Sequence, residues 1–234
     1  MDIEIALSVL NSGINNVKFR SDFKYLVIHQ ISDGVDYSDM ARSMPENVRY
    51  ISSHDVGLSR SRNLAIKYAQ SDYIWIMDDD VSIKDDAKQY IQKLAEKYSD
   101  TPLLVVSHTL TNENENENEK IKVLNIVSAT CICSIDMIIK VSKIRGLLFD
   151  TNFGLGARYP SGEEYIFACK LINSGQKLIK SNKICSYHPD ITNVNNGYPD
   201  KDSLTTKKNM FLTANGSFVG HLLYIAFLFK SLFK

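Results

Sequence analysis

The stretch Tyr73-Ile-Trp-Ile-Met-Asp-Asp-Asp80 decides the fold. Five apolar residues in a row, Tyr73 to Met77, make a strand of the kind buried on both faces in a parallel sheet. It ends at once in three carboxylates. In an open α/β sheet, ligands bind beyond the carboxyl ends of the strands, so Asp78, Asp79 and Asp80 stand where a ligand is expected. Three adjacent carboxylates repel one another unless a positive charge joins them. A divalent cation, its shell completed by diphosphate oxygens, is the simplest remedy. Two apart on extended backbone, Asp78 and Asp80 point the same way while Asp79 faces elsewhere. The competing reading is a solvated acidic turn that caps the next helix.

Upstream, residues 3–10 read as a buried strand closed by Asn11-Ser-Gly13, and residues 25–29 as a second, closed by Ser32-Asp-Gly34. Residues 48–51 make a third. Gly57-Leu-Ser59 opens a helix through Ala69, with Leu64, Ala65 and Tyr68 on one face. Downstream, Ser82-Ile-Lys-Asp85 has the S-x-x-D form of a capping box. The helix expected after it spaces Ala87, Tyr90, Ile91, Leu94, Ala95 and Tyr98 as an amphipathic face. Residues 103–106 predict a strand, 123–134 another, and 136–143 a short helix. Pro160-Ser-Gly-Glu-Glu164 opens a helix that Gly175 stops, and residues 177–184 return to strand. Strands alternating with helices predict an α/β fold with a largely parallel sheet.

The chain has 234 residues, 44% hydrophobic and 23% charged, enough for one large domain with an ordinary core. Lys plus Arg and Asp plus Glu both number 27, so net charge makes no case for nucleic acid as a partner. Cys131 and Cys133, two apart in an apolar stretch, share a face if that stretch is a strand, and their spacing is not that of a zinc knuckle. With Cys169 and Cys185 they read as buried, reduced thiols. Met1-Asp-Ile-Glu-Ile5 lacks the basic and apolar regions of a signal peptide, which predicts a cytoplasmic location. The Asn-Glu alternation of residues 112–119 reads as an exposed loop of solvated charge.

Residues 218–233 differ in kind: rich in Leu, Phe, Ile and Tyr, broken by His221 and Lys230. The uninterrupted apolar run, residues 222–229, is too short to cross a bilayer. Two readings stand: an interfacial helix giving peripheral contact with the inner face of the cell membrane through 217–234, and a terminal helix packed on its own domain.

At the residues 57–80 the sequence resembles a known family. Gly57-Leu-Ser-Arg-Ser-Arg-Asn63 followed by Tyr73-Ile-Trp-Ile-Met-Asp-Asp-Asp80 is similar to the G-x-S-x-x-R-N and D-x-D run of family 2 glycosyltransferases. Phe149-Asp-Thr-Asn-Phe-Gly-Leu-Gly156 and Gly162-Glu-Glu164 resemble the segment carrying their acceptor-side ED pair, and Tyr187-His-Pro189 the histidine after the next strand. The ordered set spans roughly residues 1–190. The resemblance implies a GT-A-like fold, with a glycosyltransferase domain over 1–205 and a helical tail over 206–234. Within the domain it implies a nucleotide-sugar and metal half over 1–107 and an acceptor half over 120–190.

The resemblance also implies roles. Asp80 matches the aspartate that binds Mn2+ or Mg2+, and Asp78 the one contacting ribose and metal. Glu164 matches the position whose carboxylate takes the acceptor's proton, a task suited to a carboxylate, and Glu163 is the alternative base. His188 matches a further metal ligand or diphosphate contact, and Arg62 a donor of charge-assisted bonds on the nucleotide side. Asn11 and Gln30 stand with the nucleotide-binding residues. The second strand departs from the family: His29 and Gln30 occupy positions where acidic residues usually meet the base, and the Gln30 amide offers a pyrimidine both a donor and an acceptor. Together these imply an inverting, metal-dependent transfer from a nucleoside-diphosphate sugar, a UDP-sugar first, to a glycan or lipid-linked acceptor in surface-polysaccharide assembly.

Each role has a plainer counterpart. Ser161-Gly-Glu-Glu164 is itself a capping-box sequence, Arg62 could pair with a carboxylate on the helix surface, and a lone His188 is commonly structural. Two other enzyme classes and one non-enzyme stand beside the transferase. A haloacid-dehalogenase-like phosphatase would use Asp78-x-Asp80 with Ser82, a sugar-1-phosphate nucleotidyltransferase lacks its glycine-rich loop here, and a degenerate GT-A subunit would bind without turnover.

Overall fold

The computed structural model describes residues 1–110, 118–189 and 201–232. Most of the 112–119 alternation, and residues 233–234 of the tail, therefore lie outside the described residues. The elements are β1 (Ile3–Leu10), β2 (Lys24–Gln30), α1 (Ser38–Arg42), β3 (Val48–Ser53), α2 (Leu58–Tyr68), β4 (Tyr73–Asp78) and β5 (Ser82–Ile83). They continue with α3 (Ala87–Lys97), β6 (Leu103–Thr109), β7 (Ile121–Leu124), β8 (Met137–Lys140), α4 (Glu163–Asn173), β9 (Leu178–Tyr187) and α5 (Lys201–Leu232).

One sheet runs in the order β3-β2-β1-β4-β8-β6-β9-β5, with β7 on β9. Its first four strands are parallel. β8 runs antiparallel between β4 and β6, and β6 and β9 are parallel again. The sheet is covered on both faces. Ala6, Leu26, Ile28, Ile74 and Ile76 pack with residues of α2, α4 and α5 on one side. Ile5, Leu7, Val27, Trp75 and Met77 pack with Ala87, Ile91, Leu94 and Ala95 of α3 on the other. This two-sided burial is why β1 and β4 read as unbroken apolar runs rather than alternations. The single tryptophan, wholly buried, still satisfies its ring N–H by donating to the Ile135 carbonyl at 2.7 Å.

Three expectations are corrected. Ser82 caps nothing: it pairs with Tyr187 in β5, and α3 begins at Ala87 without a side-chain cap. Residues 123–134 are not one strand: β7 ends at Leu124, and 3-10 turns at Ser128–Cys131 and Ser134–Asp136 follow. Asn125 drives that change, its side-chain oxygen accepting the N–H groups of Val127 and Ser128. Cys131 is consequently exposed, while Cys169 and Cys185 are buried. Residues 137–140 form a strand rather than a helix, because an apolar, β-branched Met-Ile-Ile segment fills the gap between two buried strands.

α5 is broken at Gly216, whose φ of 74° and ψ of 176° are not helical. Beyond the break Gly220 lies so close to the backbone of Phe211 and Leu212 that a Cβ there would collide with it. The first half packs on α4: Met210, Phe211 and Ala214 are buried, and the Tyr165 and Phe211 rings meet edge to face. The second half turns Leu223, Tyr224 and Phe227 inward. Phe218, Leu222, Ile225 and Phe229, at 79, 54, 47 and 60% exposure, form its outer stripe. The expected packing of a terminal helix on its own domain is thus seen in the first half and on the inner face of the second.

Candidate active site

Asp78 is the last residue of β4, in register with Ser8 of β1 at the carboxyl end of the parallel strands. Beside it, α2 starts where Gln30 ties down the preceding loop, its side-chain amide donating to the carbonyls of Asp55 (2.7 Å) and Gly57 (3.1 Å). Ser59, Ser61 and Arg62 then face the sheet and are buried. Ser61 donates to the Ser8 hydroxyl at 2.8 Å, and Ser59 to the Phe153 carbonyl at 2.6 Å.

Arg62 is not a helix-surface residue. Its guanidinium is 1% exposed and faces carboxylates from two segments. Nη1 donates to Glu163 Oε1 at 2.8 Å and to Glu164 Oε1 at 3.4 Å, and Nη2 lies 3.7 Å from Asp78 Oδ1. The Phe149 ring lies 5.8 Å from its Cζ, a cation–π contact. Glu163 and Glu164 open α4, in the first turn where the helix dipole favours anions. The helix enters through Gly162 at φ 109°, where a Cβ would run into Met210 of α5. Ser161 makes no cap, so Glu164 is free to turn toward Arg62.

One cation facing three carboxylates leaves two negative charges without counter-charge if all ionise. Burial is the largest influence on Glu164, and Glu163 adds to it; together they outweigh Arg62 and raise its carboxyl to about 7. Burial also raises Asp78, against the pull of Arg62, with Asp80 and Glu164 adding to the rise. Asp78 Oδ1 and Glu163 Oε2 are buried without a hydrogen-bond partner among the described residues. In a buried site such orphaned acceptors mark a place for a proton, an ion or a ligand donor.

The other aspartates diverge as expected. Asp79 turns to Gly13, where a Cβ would strike its carboxylate. Asp80 is exposed, its Oδ1 lying 3.4 Å from His188 Nε2 just past the end of β9. An oxygen and a nitrogen at that separation suit a divalent cation, which commonly keeps one or two protein ligands and fills its shell with phosphate oxygens and water. Among the described residues no three His, Cys, Asp or Glu side chains form a ready-made cage.

Asn11 and His29 stand near the carboxyl ends of the adjacent parallel strands β1 and β2. His29 is wholly buried, its ring between the Tyr50 hydroxyl (2.6 Å) and the Asn11 carbonyl (2.8 Å). A carbonyl only accepts, so Nε2 carries the proton; burial lowers the pKa and keeps the ring neutral. The Asn11 side chain accepts the Ser32 N–H at 2.8 Å. Gln30 has its amide nitrogen committed to the 55–57 loop. The Arg62–Glu163 pair was not foreseen from sequence, since residues 101 apart carry no pattern that joins them. Nor was His108, which sits beside His188 with its Nδ1 3.1 Å from Asp136. That hydrogen bond raises its pKa against the opposing effect of burial. A polar end to an apolar strand, Val106-Ser-His-Thr109, was the available signal.

The model of a family described as Glycosyl transferase family 2 matches residues 8–160, well over half the chain. No curated protein matches. Among solved structures, S. aureus TarS residues 1–349 in complex with UDP is similar over 100% of this chain and 72% of that one, at TM-score 0.65 and 14% identity. The same fragment with UDP-GlcNAc gives 0.63 at 13% identity, covering 97% of this chain and 72% of that one. A longer TarS chain gives 0.64 at 13% identity, and this chain covers 44% of it. At such identity the likeness shows a shared fold.

Proposed function

The chain belongs to glycosyl transferase family 2, and from that premise we propose that it moves a sugar from a UDP-sugar to a glycan or lipid-linked acceptor, with inversion and with Mn2+ or Mg2+. This reading displaces the phosphatase, because the family match covers the Asp78-x-Asp80 segment and Ser82. The observation that carries it is the Arg62 cluster: Asp78, Glu163 and Glu164 gathered around one buried guanidinium at the carboxyl end of the sheet.

In this scheme Glu164 is the base. It is the more open of the pair, its side chain 18% exposed against 4% for Glu163. A carboxyl held at about 7 is matched to taking a proton at neutral pH as the acceptor hydroxyl attacks the anomeric carbon. Glu163 and Arg62 hold it in place, and Asp78 faces the ribose. Asp80 and His188 would hold the ion, which when bound stabilises charge on the departing diphosphate. Asn11 and Gln30 shape the nucleoside end, Gln30 through the loop it ties down. The UDP and UDP-GlcNAc complexes of TarS support uridine as the base.

The tail supports contact with the lipid surface that bears the acceptor. The hydropathy of Lys201–Ser231 suits a membrane, but Gly216 divides it. Each half is then about 22–24 Å long at 1.5 Å per residue, short of the roughly 30 Å hydrocarbon core. A split helix with one face on its domain and an apolar stripe outward suits lying in the interface.

The test is thermal stability against a panel of nucleoside diphosphates, with Mn2+ and with chelator. UDP at a hundredfold excess over its dissociation constant should stabilise the protein by about 2.7 kcal/mol, only with metal, and not in Asp80→Asn. No shift with any nucleotide in folded protein would overturn the reading.

A further inference from the structure

β6 and β9 are parallel neighbours with His108 opposite Ser186 and Thr109 opposite Tyr187. The next residue, His188, donates its backbone N–H to the Thr109 carbonyl at 3.0 Å. The ladder thus delivers two imidazoles side by side past the sheet's edge. Their rings meet edge to face, centroids 6.4 Å apart and planes at 70°. His188 in turn reaches Asp80.

His108 is itself anchored from beneath. Its Nδ1 lies 3.1 Å from Oδ1 of Asp136, which is 3% exposed, and the other oxygen of Asp136 lies 4.0 Å from Lys180 Nζ. A carboxylate accepts, so Nδ1 donates and the ring's orientation is set by a buried, immobile group. Asp136 is fixed in its turn by the 3-10 segment before β8, its backbone N–H donating to the Cys133 carbonyl at 3.1 Å. The series Lys180, Asp136, His108, His188, Asp80 runs from the covered sheet to the exposed aspartate. Asp136 is a buried carboxylate and His108 a half-buried imidazole. A hydrophobic pair would pack the same space without the desolvation that a buried charge costs.

We propose that His108, held by Asp136, is a positioning residue for His188: it fixes that imidazole against Asp80 so that the two can share the divalent ion and the donor's diphosphate. This rests on the reading of Asp80 and His188 given above. Outer partners that orient a ligating histidine through hydrogen bonds typically change metal affinity by 10–100-fold when removed, and a ring contact such as this one should act at the lower end of that range.

The experiment measures Mn2+ affinity in the presence of UDP by electron paramagnetic resonance of free Mn2+. It uses the full chain, its His108→Ala and Asp136→Asn variants, and the His188→Ala and His188→Ala/His108→Ala pair, each checked for folding by circular dichroism. His108 is partly exposed, so its variant tests the proposal even if Asp136→Asn fails to fold. The expected result is an affinity about tenfold weaker in His108→Ala, unchanged affinity for uridine, and no further loss from His108→Ala once His188 is already alanine. Equal affinity in His108→Ala and the parent, or an undiminished effect in the His188→Ala background, would overturn the proposal. Failure of the parent chain to bind Mn2+ with UDP would instead overturn the reading of Asp80 and His188 beneath it.

Discussion

Arg62 Nη1 lies 2.8 Å from Glu163 Oε1, with both side chains almost wholly withdrawn from water. The pair joins α2 to α4 across 101 residues of chain and brings Glu163 and Glu164 to the strand end that bears Asp78. Removing one partner of a buried pair costs far more than the pair contributes, because a charge is left uncompensated. Arg62→Met should therefore destabilise the protein by about 3–5 kcal/mol in urea unfolding at pH 8. A loss under about 1 kcal/mol, the range of surface pairs, would show that solvent reaches the cluster.

Glu164 ties the site to pH in two opposite ways. Its proton is held to about 7, above its ordinary 4.5, so the basic form dominates only above that value. Transfer rate should fall about tenfold per pH unit below 7 and level off above it. For stability the sign reverses: a carboxyl with a raised folded pKa favours folding fully below 4.5, and that benefit is lost as pH rises through 7. Melting curves from pH 5 to 8 should show Glu164→Gln gaining on the parent as pH rises. A constant difference would remove Glu164 from the titrating role.

The parts of this molecule that were legible before the structure share a property: their signal is local. Residues 73–80 announce a two-face-buried strand ending in charge, α2 and α3 follow from apolar spacing, and α4 from its opening Pro160-Ser-Gly-Glu-Glu164 and the stop at Gly175. The misreadings at residues 82–85, 123–134 and 137–140 occur where tertiary pairing overrides local preference. Ser82 is taken by β9, Asn125 turns the chain, and residues 137–140 are drawn between β4 and β6. In the candidate site, Asp78 ends β4, Asp80 and His188 lie just past strand ends and Glu164 opens α4, so each stands at an element boundary that local sequence marks. Their links through Arg62 and the anchoring of His108 by Asp136 are contacts across long stretches of chain, which no spacing encodes.

Gly162 tests how the entry to α4 is built. Its φ of 109° is one that a side chain rarely adopts, and a Cβ would press on Met210. Gly162→Ala should cost about 1–3 kcal/mol and displace Glu163 and Glu164, so turnover should drop more than nucleotide affinity. Calorimetric unfolding alongside UDP titration separates the two, and an unchanged melting point would contradict the tight α4–α5 contact.

The outer stripe of α5 predicts lipid binding without a stability role. Phe218→Ser with Phe229→Ser should leave the melting temperature within about 2 °C, since exposed side chains contribute little. The same pair should abolish co-sedimentation with phosphatidylglycerol vesicles. Equal sedimentation of the variant and parent would place the stripe elsewhere than on a membrane.

The most direct measurement is release of UDP from a set of UDP-sugars by the purified chain, with Mn2+ or chelator, beside Glu164→Gln and Asp80→Asn. Metal-dependent release from one donor is expected, lost in both variants while Glu164→Gln still binds UDP. Tight UDP binding with no release from any donor, with acceptor glycans present, would contradict it and point to a family member that binds its nucleotide without turnover.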